Sequence, residues 1–300
     1  MFSIVIPIYN KESYISRTLT SVLNQTFSNF EVIIVDDGST DNSIQVVKSF
    51  NDERIKIVSQ ENKGVSSARN LGVEHAQNNY IAFIDADDIW EPKFLEAINK
   101  LILSYPSASA YYTNYKVGKS RVETNKTNQS IEWDTYLIKD YFQFALDYKA
   151  ILTSCVVIKK DVFMKLGGFC TEYKRGEDLY LWTQIALEYQ VAYTSYTGAF
   201  YYRDVPNSLS RTKFNIKDSF SDIAEEFYEK NKELVINKHS FREYMIAIIS
   251  SKGKYLLIMH RKKEARALLQ RYLDTTYNKK KVYILYLLSY LPKVIVKNII

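Results

Sequence analysis

The chain has 300 residues, 46% hydrophobic and 25% charged, the balance of an ordinary folded protein with ample surface to bury a core. The formal net charge of +6 is unevenly placed: residues 211–300 hold 19 Lys and Arg against 9 Asp and Glu, which leaves −4 for residues 1–210. Two cysteines without CxxC spacing, three histidines without HxxxH, and nine glycines with neither GxGxxG nor GxxxxGK(S/T) argue against a disulfide scaffold, a zinc site, a dinucleotide fold and a P-loop.

The opening MFSIVIPIYN lacks a basic n-region and a cleavage site and reads as a strand, not a signal peptide. Strands are expected at 3–8, 32–35, 55–58 and 81–84, alternating with helices at 12–25, 40–50, 66–76 and 92–103. Ser39 or Thr40 would cap the second helix, and Pro92 suits a first helical turn. Such β-α repetition implies an α/β fold with a mostly parallel sheet flanked by helices. A further strand is expected at 108–115, then a long polar loop at 116–132 and a helix at 133–146. The apolar run 151–158 contains Cys155, expected as a buried reduced thiol. A short helix ending at Gly167-Gly168, a helix at 177–188 and a strand at 191–202 follow, and beyond 211 only Lys-rich helical patterns remain. No run approaches the roughly 20 apolar residues of a membrane span.

The chemistry sits where strands end. EVIIVDD (31–37) and YIAFIDADD (80–88) both run into carboxylates, at the sheet edge where open α/β folds bind ligands. Asp85, Asp87 and Asp88 lie within four residues, a density that needs a compensating cation or solvent. Their oxygens suit Mn2+ or Mg2+ beside a diphosphate. Asp37 can accept from a base edge such as the uracil imide, or serve only as a turn residue. Arg69 can reach a ribose, base or phosphate, or form a surface ion pair. Glu177-Asp178 either supplies a general base or simply complements a helix dipole.

Taken in order, SIVIPIYN, VIIVDDGSTDNS, NKGVSSARNLG, YIAFIDADD, GGF, GEDLYLW and YYRDVPNSLS resemble glycosyltransferase family 2, the inverting sugar-nucleotide transferases of GT-A fold, over roughly residues 1–210. The resemblance implies a catalytic domain at 1–210, with a nucleotide-binding half at 1–104 and an acceptor-side half at 105–210, followed by a basic, all-helical extension at 211–300. It implies that Pro7, Tyr9 and Glu12 line the nucleoside pocket, with Asp37 on the base and Arg69 nearby. Asp85 would contact ribose or metal-bound water, Asp87 would hold Mn2+ or Mg2+, and Asp178 would be the catalytic base. One departure is Val205, which stands after Tyr202-Arg203-Asp204 where family members often carry a histidine. The implied donor is a nucleotide sugar, most simply a UDP-sugar, and the implied acceptor a saccharide or lipid-linked saccharide in surface polysaccharide synthesis.

Two other readings stay open. IAFIDADDI approximates the strand-plus-DxD of haloacid-dehalogenase-like phosphatases, with Asp85 as nucleophile, although Ile89 and the order of the acidic clusters depart from that pattern. The third is a non-catalytic sugar-nucleotide-binding subunit. No nucleic-acid partner is expected, and an oligomer is left open. The expected location is cytoplasmic, peripheral on the inner face of the cell membrane. There Lys279-Lys280-Lys281 and the apolar run after it would lie on an anionic membrane surface, kinked at Pro292 and with Ser289, Lys293 and Lys297 as a polar stripe. A tail helix packed on protein is the alternative.

Overall fold

The chain runs through β1 (Phe2–Ile8), α1 (Ile15–Leu23), β2 (Phe30–Asp36), α2 (Ser43–Lys48), β3 (Ile55–Ser59), α3 (Val65–His75), β4 (Tyr80–Phe83), β5 (Ile89–Trp90) and α4 (Phe94–Ser104). It continues through β6 (Ala110–Gly118), β7 (Thr135–Leu137), α5 (Tyr141–Asp147), β8 (Val156–Lys159), α6 (Lys160–Lys165), α7 (Glu177–Glu188) and β9 (Val191–Tyr202). Four helices close it: α8 (Phe220–Asn231), α9 (Lys238–Ile258), α10 (Lys262–Gln270) and α11 (Lys279–Leu288). This computed structural model describes residues 1–118, 133–148, 151–202, 215–292, 296 and 299.

Among the described residues nine strands form one sheet, ordered β3-β2-β1-β4-β8-β6-β9-β5, with β7 also paired to β9. The pairs β1–β2, β1–β4 and β2–β3 are parallel, as the β-α alternation of the first hundred residues requires. The later strands extend the sheet differently: β6–β9 is parallel, while β4–β8, β6–β8, β5–β9 and β7–β9 are antiparallel. Every residue of β1 is buried, as a strand covered on both faces must be.

The chain divides into two compact units, the first comprising 1–139, 151–171 and 180–212, the second 140–150, 172–179 and 213–300. The sheet belongs to the first. In the second, α5, α8, α10 and α11 pack against the long helix α9, whose buried residues include Phe241, Met245, Ile249 and Leu257. Among the described residues no helix is long and apolar enough to cross a membrane.

Two expectations are corrected. The helix foreseen at 133–146 is instead β7 followed by α5. Thr135, Tyr136 and Leu137 pair with Thr194, Tyr193 and Ala192 of β9, and Asp140 caps α5 by accepting from the Gln143 N–H at 3.1 Å. In the tail, α11 ends at Leu288 and so stops short of Pro292 instead of running through it. Ser289 is fully buried rather than part of a solvent-facing stripe. Its hydroxyl donates to Tyr286 O at 2.6 Å and accepts from Arg266 Nε at 3.2 Å. Lys293 and Lys297 lie outside the described residues.

Candidate active site

Four loops converge at the carboxyl ends of β1, β2, β3 and β4, all in the first unit. Pro7 shows why β1 can end there. Val5 O accepts from Ile84 N at 3.2 Å, so by strand alternation Pro7 also faces the β4 side. The β1–β4 ladder stops at Val5–Phe83, and the missing Pro7 N–H therefore breaks no ladder bond. The two strands part at this point, and the acidic residues 84–88 leave β4 beside the opening.

The loops after β1 and β2 are laced together by side chains. Asn10 Oδ1 accepts from Thr40 N at 2.8 Å, Ser43 Oγ from Lys11 N at 2.7 Å, and Asp41 Oδ2 from Glu12 N at 3.0 Å. The Glu12 carboxylate accepts from Asn42 N at 3.0 Å and from its amide nitrogen at 3.2 Å. Asp41 also accepts from Ser43 N and Oγ at 3.0 and 2.5 Å, so it starts α2 and ties down the neighbouring loop. Partial burial raises its pKa, but these bonds outweigh that effect and hold it below the ordinary aspartate value. Tyr9 projects from this loop and is 47% exposed.

Asp37 is only 4% exposed and is held by Gln60 Nε2 at 2.7 Å, Lys63 N at 2.8 Å and Gly64 N at 2.9 Å. It therefore anchors the turn that leads into α3. From the second turn of the same helix, Arg69 Nη2 donates to Asp85 Oδ1 at 2.6 Å, while its guanidinium lies 5.0 Å from the Phe169 ring. Next to it, Asn70 brackets the Phe169 backbone, accepting from its N–H at 2.9 Å and donating to its carbonyl at 2.8 Å. Gly168 has φ +71°, and a Cβ there would stand 2.7 Å from Asn70 Oδ1. The ARN and GGF stretches, far apart in sequence, are thus one interlocked piece.

The acidic loop is fixed from below. Thr18 Oγ1 donates to Ala86 O at 2.9 Å and Asp88 O at 2.7 Å, and Arg17 Nη2 to Asp87 O at 2.8 Å. Asp88 is fully buried, accepting from Ser154 Oγ at 2.5 Å and Tyr202 N at 3.3 Å. Burial, reinforced by the neighbouring Asp85 and Asp87 charges, pushes its carboxyl well above the ordinary aspartate range. The Asp87 carboxylate meets a cation of the chain, with Lys11 Nζ 2.5 Å from its Oδ2.

Glu12, Asp37, Arg69, Asp85 and Asp87 thus line one sheet edge with Pro7 and Tyr9. Asp178 belongs to the second unit, where it opens α7 and accepts from Leu179 N at 2.7 Å. The residues before α7 are tied within that unit: Lys174 N donates to Asp218 O at 2.7 Å, and Phe220 N to Arg175 O at 3.2 Å. Val205, with Arg203 and Asp204, lies outside the described residues. Lys11, Thr18, Arg17 and Ser154 were not foreseen as site residues. Their partners in the acidic loop lie 66 or more residues away in the chain, and no local spacing marks them.

Among the described residues no cluster of three or more His, Cys, Asp or Glu side chains is arranged to hold a metal ion alone. Asp87 with Asp85 nevertheless fits Mn2+ or Mg2+ chemically. Both offer hard oxygen ligands, and such a cation commonly takes one or two carboxylates plus phosphate oxygens and water.

An α/β sheet of this order, with its polar site at the carboxyl edge of the parallel strands, defines the class. Residues 3–167 match the model for glycosyl transferase family 2, and the chain belongs to that family. It is 31% identical to the UDP-Glc:alpha-D-GlcNAc-diphosphoundecaprenol beta-1,3-glucosyltransferase WfgD of Escherichia coli over 235 residues, 76% of this chain and 87% of WfgD. It is 38% identical to the glycosyltransferase GlyA of Streptococcus pneumoniae over 120 residues, 39% of this chain but 17% of that longer protein. The crystal structure of S. aureus TarS 1–349 in complex with UDP-GlcNAc superposes with a TM-score of 0.67 at 18% identity, covering 95% of this chain and 90% of that one. The fold is therefore the GT-A fold. Membership in this family replaces the phosphatase reading, in which Asp85 would have been a nucleophile.

Proposed function

We propose that the chain is an inverting, metal-assisted glycosyltransferase that moves a sugar from a UDP-sugar to a saccharide or lipid-linked saccharide in surface polysaccharide synthesis. The observation that carries this reading is the pair of carboxylates, Asp85 and Asp87, aligned after β4 and each matched by a cation of the chain, Arg69 and Lys11. WfgD, which by its name uses UDP-Glc and a diphosphoundecaprenol-linked sugar, supports the donor and acceptor classes.

In this reading residues 1–210 form the catalytic domain, with 1–104 binding nucleotide and 105–210 serving the acceptor, and 211–300 form the helical extension. Pro7, Tyr9 and Glu12 line the nucleoside pocket, where exposed Tyr9 offers a stacking face. Asp37 keeps lone pairs beyond its three bonds for the base edge, and Arg69 holds Asp85 toward the ribose. Mn2+ or Mg2+, held by Asp87 with Asp85, would neutralise the leaving diphosphate as a Lewis acid. Asp178 removes the proton from the acceptor hydroxyl, and a single displacement at the anomeric carbon inverts it. The protein works in the cytoplasm, peripheral on the inner membrane face through α11.

Asp87→Ala should abolish transfer and sharply weaken UDP binding in Mn2+, and a chelator should do the same to the wild type. Isothermal titration with UDP, run beside a UDP-release assay over a panel of UDP-sugars, measures both. Full activity in chelator would overturn the metal assignment.

A further inference from the structure

The acidic loop is already neutralised by the chain itself. Lys11 Nζ lies 2.5 Å from Asp87 Oδ2, both side chains being mostly buried, at 19% and 13% exposure. Arg69 and Asp85 form the matching pair at 2.6 Å. Two carboxylates and two cations leave little net charge to draw a divalent ion into the nucleotide-free site. The two cations differ in how they are held. Arg69 is 4% exposed and seated against Phe169. Lys11 is anchored through its backbone, where its N–H donates to Ser43 Oγ at 2.7 Å and its carbonyl accepts from Tyr14 N at 2.9 Å and Ile15 N at 3.0 Å, while its ammonium meets Asp87 and lies 5.8 Å from the Tyr14 ring. Its ammonium sits at the end of four rotatable carbons and is free to exchange one anionic partner for another.

We propose that Lys11 is a built-in counter-ion that occupies Asp87 until a nucleoside diphosphate arrives, so that the divalent cation binds together with the diphosphate and not before it. The diphosphate brings further negative charge and offers Lys11 a second anion. Asp87 is then released to the metal. The coupling is reciprocal: whatever factor UDP adds to metal affinity, the metal adds to UDP affinity. This inference rests on the assignment of Asp87 as the metal-binding carboxylate.

The test is Mn2+ titration followed by the electron paramagnetic resonance of the free ion, with and without UDP, for wild type, Lys11→Met, Lys11→Gln, Lys11→Arg and Asp87→Asn. Thermal melts check that each variant is folded. Removing the ammonium should tighten nucleotide-free Mn2+ binding by ~10-fold or more, the effect expected of one unit charge in contact with the ligand. It should also shrink the gain in Mn2+ affinity that UDP confers. Lys11→Arg should stay close to wild type, and Asp87→Asn should lose binding with or without UDP. If wild type binds Mn2+ with UDP, but neither neutral variant binds it more tightly alone, the counter-ion role is wrong and the metal assignment stands. If no form binds Mn2+ even with UDP, both fail together.

Discussion

Asp178 opens α7 beside Glu177, and its carboxylate accepts the N–H of Leu179 at 2.7 Å. A helix start favours the charged form of an acid, so position alone does not separate a base from a dipole partner. Chemistry does. Asp178→Asn keeps the shape and the hydrogen bond to Leu179 while removing basicity. Turnover should fall roughly 10²–10⁴-fold with UDP affinity near normal. Steady-state kinetics beside UDP titration separates the two quantities. If Glu177→Gln is the crippling change instead, the roles are reversed, and if neither matters the base is another group and this mechanism is wrong. Asp88 plays the opposite part. It is fully buried, and it joins Ser154, which also accepts from Asp85 N at 3.1 Å, to the end of β9. It shapes the loop from which Asp87 projects without being open to solvent itself.

The element that sets this edge is α3. A Cβ on Gly72 would stand 2.4 Å from Val5 Cγ1 and 3.2 Å from Val35 Cγ2, so the helix lies flush on β1 and β2 because this residue has no side chain. That contact holds Arg69, one turn earlier, at the sheet edge. Two effects compete in Gly72→Ala. Helix propensity favours alanine by about 1 kcal/mol. Overpacking against fully buried Val5 costs roughly 1–3 kcal/mol, so the net change should be a loss. A thermal melt decides, and a raised midpoint would mean that β1 and α3 separate easily. Strands β1, β2 and β4 are legible in the chain because each is a nearly continuous buried apolar run. Residues 133–146 are not, because their aromatic and apolar content suits helix and strand alike. Pairing with β9, some 57 residues downstream, decides for β7. Asp85, Asp87 and Asp37 are legible because carboxylates at strand ends are costly without a purpose. Lys11 is not, because its meaning comes from a partner 76 residues away.

At the scale of the molecule, charge and apolar surface both concentrate in residues 211–300, where Lys and Arg exceed Asp and Glu by 19 to 9. α11 packs on α9 and α10 through Val282, Leu285 and Leu288, so one face of the tail is structural. On its other side Tyr283, Ile284 and Leu287 are exposed, Leu287 at 60%, and Lys279, Lys280 and Lys281 form its first turn. An apolar ridge beginning in a basic turn suits the headgroup layer of an anionic membrane, where each Lys adds about 1 kcal/mol at low salt. Such a contact would concentrate the enzyme where a lipid-linked acceptor resides. Deleting α11 would expose the α9 and α10 surface it covers, so the cleaner variant is Ile284→Glu with Leu287→Glu, which alters only the outer ridge. Wild type should float with phosphatidylglycerol vesicles and lose that association as salt rises. The double variant should stay with the unbound protein while hydrolysing the donor at the wild-type rate. If both float equally, the membrane contact lies elsewhere on the chain, and if the wild type does not float, the tail serves packing alone.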